Sequence, residues 1–137
     1  MMRTVFRISA CLAISTCQAA RSDSGFYGTW RVTGIHTYTR ITESEERMKA
    51  LIGSSIVLAA GKVVESGEEV CPVHAAPVIA LVDSRDEVEG EGITPEAAGL
   101  PARVEKLDYG CIAFYRVGDR LIFNDRGAYY EAARITP

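Results

Sequence analysis

The chain has 137 residues, of which 47% are hydrophobic and 24% are charged, and its formal net charge is −3. This length suits one compact domain and is too short for two. The acidic excess disfavours nucleic acid and anionic membrane surfaces as partners, because both require a basic footprint.

The first twenty residues have the pattern of an export signal. Two arginines precede an apolar run over 8–16, and small residues follow just before position 21. The run is too short to span a bilayer. We therefore predict a signal peptide over 1–20 and a single mature domain over 21–137, either periplasmic or secreted. Cleavage removes two of the 15 basic residues, which leaves 13 against 18 acidic ones and a net charge of −5.

The four cysteines fall into two groups. Cys11 lies inside the predicted signal, and Cys17 ends a segment that loosely resembles a bacterial lipobox, so a lipid anchor at Cys17 is an alternative. Ordinary cleavage leaves Cys71 and Cys111, and two cysteines in an oxidising compartment most simply form one disulfide. A bridge that encloses about 40 residues stabilises a fold by about 3–4 kcal/mol.

A metal site is the competing interpretation of the same cysteines. Cys71 begins a CxxH spacing that ends at His74, and Cys111 with His36 would complete a tetrahedral zinc site. These ligands are scattered, with only one local pair. We favour the disulfide, and we predict neither a bound metal nor another cofactor.

The mature chain begins with a predicted strand over 26–39, which is rich in β-branched and aromatic residues. Successive side chains of a strand point to opposite faces, so residues of one parity, odd or even, are expected to point to the interior. The residues of that parity are Phe26, Trp30, Val32, His36 and Tyr38. Gly34, in the middle of the strand, indicates a bend or a bulge.

A helix is predicted directly after this strand. Thr42 is its expected N-cap, with Glu45 three residues later completing a capping box. Met48 and Leu51 begin an apolar face at helical spacing. Gly53 is expected to end the helix.

Strands dominate the remainder of the chain. β-rich runs separated by turn residues are found at 55–60, 62–65, 68–71, 77–82, 102–107, 111–117, 121–124 and 128–135. The acidic segment 83–101 interrupts them, with a helical turn predicted at 94–98. This segment lacks the ligand spacing of a calcium-binding EF-hand loop. Seven or eight short strands with one helix predict an all-β domain, as a small antiparallel up-and-down barrel or a sandwich.

Three residues at the two ends of the domain resemble a known family. Gly28 and Trp30 form a Gly-x-Trp at the start of the first strand, and Arg134 lies on the last strand. This arrangement resembles the calycin barrels, which include lipocalins and small bacterial protease inhibitors. The resemblance implies that Arg134 stacks on the Trp30 indole where the first strand meets the last. Such a cation–π contact contributes about 0.5–2 kcal/mol.

The function that we predict is a non-enzymatic, lipocalin-like binding protein that holds a small apolar ligand. The residues predicted to line its site are Trp30, His36, Tyr38, Tyr115 and Tyr130. In the competing interpretation these side chains only fill the core. The alternative function is inhibition of a protease or lysozyme-type enzyme through residues 21–25 or the acidic segment. Catalysis is disfavoured, because the chain has no Gly-x-Ser-x-Gly elbow, phosphate-binding loop or dinucleotide fingerprint.

Overall fold

The computed structural model describes residues 25–40, 42–72 and 76–135. The predicted signal peptide, Cys17 and His74 lie outside these ranges. The described ranges contain nine strands and two short helices, in the order β1 Gly28–Tyr38, α1 Glu45–Leu51, β2 Ser55–Ala59, β3 Lys62–Glu65, β4 Glu68–Pro72, β5 Val78–Asp83, α2 Ser84–Glu87, β6 Arg103–Asp108, β7 Ala113–Val117, β8 Arg120–Asp125 and β9 Ala128–Arg134. Neither helix is long and apolar enough to cross a membrane. The predicted all-β class is confirmed.

All nine strands belong to one antiparallel sheet, in the order β4-β3-β2-β1-β9-β8-β7-β6-β5. Sequential strands are neighbours except β4 and β5, which lie at the two edges, and the first strand β1 pairs with the last strand β9. Strand direction alternates across the sheet, so β4 and β5 at its two edges run in the same direction. An odd number of strands cannot close a ring that is antiparallel throughout. The sheet curls into a half-barrel, and β4 and β5 are not paired with each other, which leaves an open seam between them.

Two contacts bridge the two halves of the curled sheet. Cys71 on β4 forms a disulfide with Cys111 in the β6–β7 turn, with a Cα–Cα distance of 6.3 Å. The Tyr109 hydroxyl donates a hydrogen bond to the Ala59 carbonyl oxygen at 2.8 Å. The predicted disulfide is confirmed. Because both thiols are consumed, they are not available as zinc ligands.

Two bulges interrupt the alternation of side chains along strand β1. Its pairing with β9 shifts register twice, once beside Gly34 and once after Ile35. Trp30, before the shifts, is buried, whereas His36, at the second shift, and Tyr38, beyond it, are exposed. The bulge predicted at Gly34 is confirmed. The burial predicted for His36 and Tyr38 is wrong. His36 lies at the second bulge, where alternation is interrupted. Tyr38 is exposed because it is the last residue of the strand, beyond the core.

Helix α1 begins later than the sequence predicts. Its N-cap is Ser44, in extended backbone conformation, and the Ser44 hydroxyl accepts a hydrogen bond from the Arg47 amide at 3.4 Å. The Thr42 hydroxyl instead lies 3.6 Å from the Met48 sulfur. The predicted Thr42–Glu45 capping box is therefore wrong. Both serine and threonine satisfy the capping chemistry, and in this structure Ser44 provides it.

The sheet is buried on both faces along β7, β8 and β9. The concave face holds the larger core, which includes Phe114, Phe123 and Tyr130. The opposite face holds a second core around Tyr115 and Tyr129. Residues 83–101, which we call the strap, cover that second face and bury Val88, Ala98 and Leu100 there. The strap is thus a packed element and does not interrupt the fold as a solvated loop.

Candidate functional site

The Arg134 side chain joins the start of the domain to its last strand. Its guanidinium carbon lies 4.3 Å from the Trp30 ring centroid. Its Nη1 and Nη2 atoms donate hydrogen bonds to the carbonyl oxygens of Tyr27 at 2.8 Å and Gly25 at 2.6 Å. The Trp30 indole donates to the Phe26 carbonyl oxygen at 2.8 Å. The contact that the sequence predicts between Trp30 and Arg134 is present, with hydrogen bonds that fix it on both sides.

Gly28 makes this stacking arrangement sterically possible. Its φ is +129°, a conformation that side-chain-bearing residues rarely adopt. A Cβ atom at this position would lie 2.7 Å from Arg134 Nη1. The glycine of the Gly-x-Trp pattern therefore leaves room for the guanidinium, which is a structural role.

The concave core is filled by its own aromatic side chains. The Phe123 and Tyr130 rings stack with centroids 5.3 Å apart, and the Phe114 and Phe123 centroids are 5.5 Å apart. Trp30 and Tyr130 are each 1% exposed. A ligand would therefore have to occupy a cleft at the surface.

The five predicted ligand-lining residues do not converge on one site. Trp30 and Tyr130 belong to the concave core, and Tyr115 belongs to the second core on the other face of the sheet. Only His36 and Tyr38 share a surface cleft. The sequence places all five on strands, but it does not reveal that neighbouring strands direct them to different faces.

His36 and Tyr38 border a groove between β1 and α1 with a volume of about 490 Å³. We call this the β1–α1 groove, and its lining consists of Ile35, His36, Thr37, Tyr38, Glu45, Met48 and Lys49. Met48 is buried and Ile35 packs against the core, so the groove has an apolar floor. Tyr38 is 61% exposed. Glu45 and Lys49 form an ion pair of 2.9 Å at the helical side.

A small polar network holds His36 at the edge of the groove. Its Nε2 atom lies 3.2 Å from the Glu131 carboxylate, which also pairs with Arg120. Gly99 of the strap approaches the same ring so closely that a Cβ there would lie 2.8 Å from His36 Nε2. The imidazole is therefore positioned by β9 on one side and by the strap on the other.

A cluster of charged residues that was not predicted from the sequence lies beside the disulfide. Two clefts, of about 270 and 330 Å³, share Glu65, Asp125 and Arg126. Burial raises the pKa of Glu65, and the Asp125 charge raises it further. Burial also raises the pKa of Asp125, against the opposing effect of Arg126. Arg126 itself pairs with Glu43, next to α1. In the sequence, residues 125–127 resemble only a turn, and nothing there indicates proximity to Glu65.

We expect Asp125→Asn to stabilise the protein at neutral pH. Carboxyl groups with a raised folded-state pKa bind more protons in the native state, so the free energy of unfolding falls as pH rises through that pKa. An amide removes this penalty. Urea unfolding at about pH 7.5 should show the gain, and the difference should shrink as the pH falls below the ordinary aspartate pKa of about 3.9, because the carboxyl is then protonated in both states. Asp119→Asn, in an exposed turn, is the matched control. A loss of stability at neutral pH would contradict the expectation.

Two acidic residues of the strap attach it to the sheet. The Tyr115 hydroxyl donates to Glu87 at 3.0 Å, and the Tyr129 hydroxyl donates to Glu91 at 2.5 Å. Burial raises the pKa of both tyrosines, so both remain hydrogen-bond donors. Lys106 also pairs with Glu87 at 2.6 Å.

In the described part of the chain, no three metal-ligating side chains come together. Inhibition of an enzyme through the strap stays a prediction.

No protein-family model matches the chain, and no significant match emerged among curated proteins or solved structures. The resemblance to calycins therefore stays a prediction from Gly28, Trp30 and Arg134.

Proposed function

We propose that this protein is an exported, non-enzymatic binding protein that takes a small amphipathic ligand in the β1–α1 groove. The Cys71–Cys111 disulfide supports an oxidising location. The observation that carries the proposal is the pairing of an apolar floor with a solvent-exposed aromatic ring in a groove of about 490 Å³.

The groove has the dimensions and the chemistry of a small-molecule site. Pockets for such ligands have volumes of about 300–1,000 Å³ and combine apolar walls with a few polar groups. The Tyr38 ring offers a flat apolar face, and the Met48 thioether adapts to irregular ligand shapes. His36 and Lys49 supply polar groups at the rim. These features favour a ligand with an aromatic or aliphatic body and one polar or anionic group.

The filled interior supports the same choice of site. In lipocalin-like folds a ligand enters the mouth of the barrel. Here the corresponding space is occupied by Trp30, Phe123 and Tyr130, each 1% exposed or less. A ligand in the interior would have to displace a packed aromatic side chain, whereas the β1–α1 groove is already open.

Replacing Tyr38 with alanine tests this proposal. With 1-anilinonaphthalene-8-sulfonate as an amphipathic anionic probe, Tyr38→Ala should weaken binding about tenfold, equivalent to about 1.4 kcal/mol. The physical reason is the loss of the exposed ring on which the probe stacks. Fluorescence titration gives the dissociation constant directly.

The matched control is Val70→Ala, which trims an exposed apolar residue on the distant strand β4. This variant should bind the probe as the wild type does. Equal affinity in wild type and Tyr38→Ala, or an equal loss in both variants, would reject the groove as the site.

A further inference from the structure

The two edge strands of the sheet differ in their protection against pairing with another chain. Edge strands expose unpaired N–H and C=O groups, and natural proteins protect them with charges, prolines and bulges. Strand β4 carries exposed Glu68 and Glu69, ends at Pro72, and pairs with β3 through an irregular register. The first five residues of strand β5 contain no charge, no proline and no irregularity of pairing.

The unprotected edge is also the apolar one. Residues 78–82 are all apolar, and the only charge on β5 is Asp83 at its end. Val78 is 62% exposed and Leu81 is 58% exposed. Because β5 pairs on one side only, with β6, its other side is free of strand partners among the described residues. An apolar, exposed and unpaired edge of this kind is typical of a strand-pairing site.

The side chains of β5 are symmetric about Ala80. Reading outward from Ala80, Ile79 mirrors Leu81 and Val78 mirrors Val82. A strand with this pattern is complementary to its own copy in antiparallel orientation, since each side chain meets one of similar size and polarity. A two-fold axis through Ala80 therefore brings together two equivalent surfaces, as an isologous dimer interface requires.

We propose that β5 pairs with β5 of a second copy of this chain, antiparallel and centred on Ala80, so that two sheets become continuous across a two-fold axis. The occupant of the open edge is thus the protein itself. This surface is separate from the β1–α1 groove, so ligand binding and dimerisation are independent.

The Ala80-centred register satisfies the backbone as well as the side chains. In this register each residue faces a residue of the same parity. The backbone N–H and C=O groups that point away from β6 in one copy therefore meet the corresponding groups of the other copy. The two Asp83 carboxylates lie at opposite ends of the paired strands, so no like charges face each other. A register shifted by one residue in one copy would direct facing side chains to different faces of the sheet.

Ultracentrifugation over a range of concentrations tests the association. We expect a concentration-dependent dimer, because pairing through one short strand buries less surface than the interfaces of permanent complexes. Leu81→Lys should weaken dimerisation at least about tenfold, since a lysine on an edge strand opposes pairing. Val70→Lys, on the protected edge β4, should leave dimerisation unchanged. Circular dichroism and thermal unfolding verify that both variants fold.

Cysteine cross-linking tests the register. In antiparallel pairs, directly facing Cα atoms lie about 4.5–5.5 Å apart, which is within disulfide range. Ala80→Cys should therefore cross-link two copies through residue 80. Leu81→Cys should not cross-link, because its two copies lie diagonally, about 7–8 Å apart. Mass mapping of non-reduced peptides distinguishes these links from those of the native cysteines.

Three outcomes would overturn the proposal: a monomer at every concentration, a dimer that Val70→Lys disrupts while Leu81→Lys does not, or cross-linking at position 81 in preference to position 80. Because none of these measurements involves the groove, loss of probe binding by Tyr38→Ala has no bearing on the dimer.

Discussion

Replacing Trp30 with alanine is expected to destabilise the protein by about 3–5 kcal/mol, the range for removing a large aromatic from a core. Trp30 is 1% exposed and belongs to the concave core. The substitution removes the indole that carries the Arg134 guanidinium and the hydrogen bond to the Phe26 carbonyl oxygen. Denaturant unfolding followed by circular dichroism measures the change.

The same strand supplies the control for this prediction. Tyr38 is also an aromatic residue of β1, but it is 61% exposed. Tyr38→Ala should therefore change the free energy of unfolding by no more than about 0.5 kcal/mol. Equal losses in the two variants would mean that Trp30 does not occupy the interior position described above.

A double-mutant cycle separates the cation–π contact from the burial of the indole. Arg134→Ala alone should cost about 0.5–2 kcal/mol, and it also removes hydrogen bonds to Tyr27 and Gly25. If the ring and the guanidinium interact, the loss in the double variant is smaller than the sum of the single losses. Simple additivity would indicate that each side chain stabilises the closure independently.

Removing the disulfide is expected to have the second large effect. The bridge spans a sequence separation of 40 residues, and Cys71 is 1% exposed. On the chain-entropy model, a loop of that length corresponds to about 4 kcal/mol of stability. We therefore expect the variant with alanine at both Cys71 and Cys111 to unfold at much lower denaturant concentration than the wild type. Because the bridge connects β4 to the β6–β7 turn, the seam region should lose hydrogen-exchange protection first.

The reduced wild type is the matched control for the double alanine variant. Reduction leaves both sulfur atoms in place, so it isolates the effect of the covalent link from that of side-chain volume. Reduced wild type and double variant should lose similar amounts of stability. A wild type that unfolds identically with and without reductant would contradict a role for the bridge in holding the curled sheet.

Most of the strands were predictable because they depend on local chemistry. β-Branched and aromatic runs such as 128–135, separated by turns such as 125–127, predict β9 and its neighbours to within two or three residues. The disulfide was predictable by elimination, since Cys71 and Cys111 are the two cysteines outside the predicted signal peptide. The contact between Trp30 and Arg134 followed from a family resemblance at the two ends of the domain.

The candidate site was less predictable, because it depends on which face of the sheet each strand presents. His36 and Tyr38 have the parity of Trp30 in the sequence, yet both are exposed and border the β1–α1 groove. His36 lies at the second register shift, and Tyr38 is the last residue of the strand. Tyr115 was expected to join the same site and lies instead beneath the strap. The orientation of a side chain at a bulge, or beneath a distant segment, cannot be predicted from the alternation of apolar and polar residues in the sequence.

By itself, the sequence determined the all-β class, the short helix after the first strand and the disulfide, and a family resemblance added the contact that joins the two ends of the domain. These depend on local propensity, on chemistry with few alternatives, or on one conspicuous residue pair. The tertiary structure alone decided the seam between β4 and β5, the second core beneath the strap and the position of the open groove. Each of these requires knowing how many strands curl together and which distant side chains then compete for the same space.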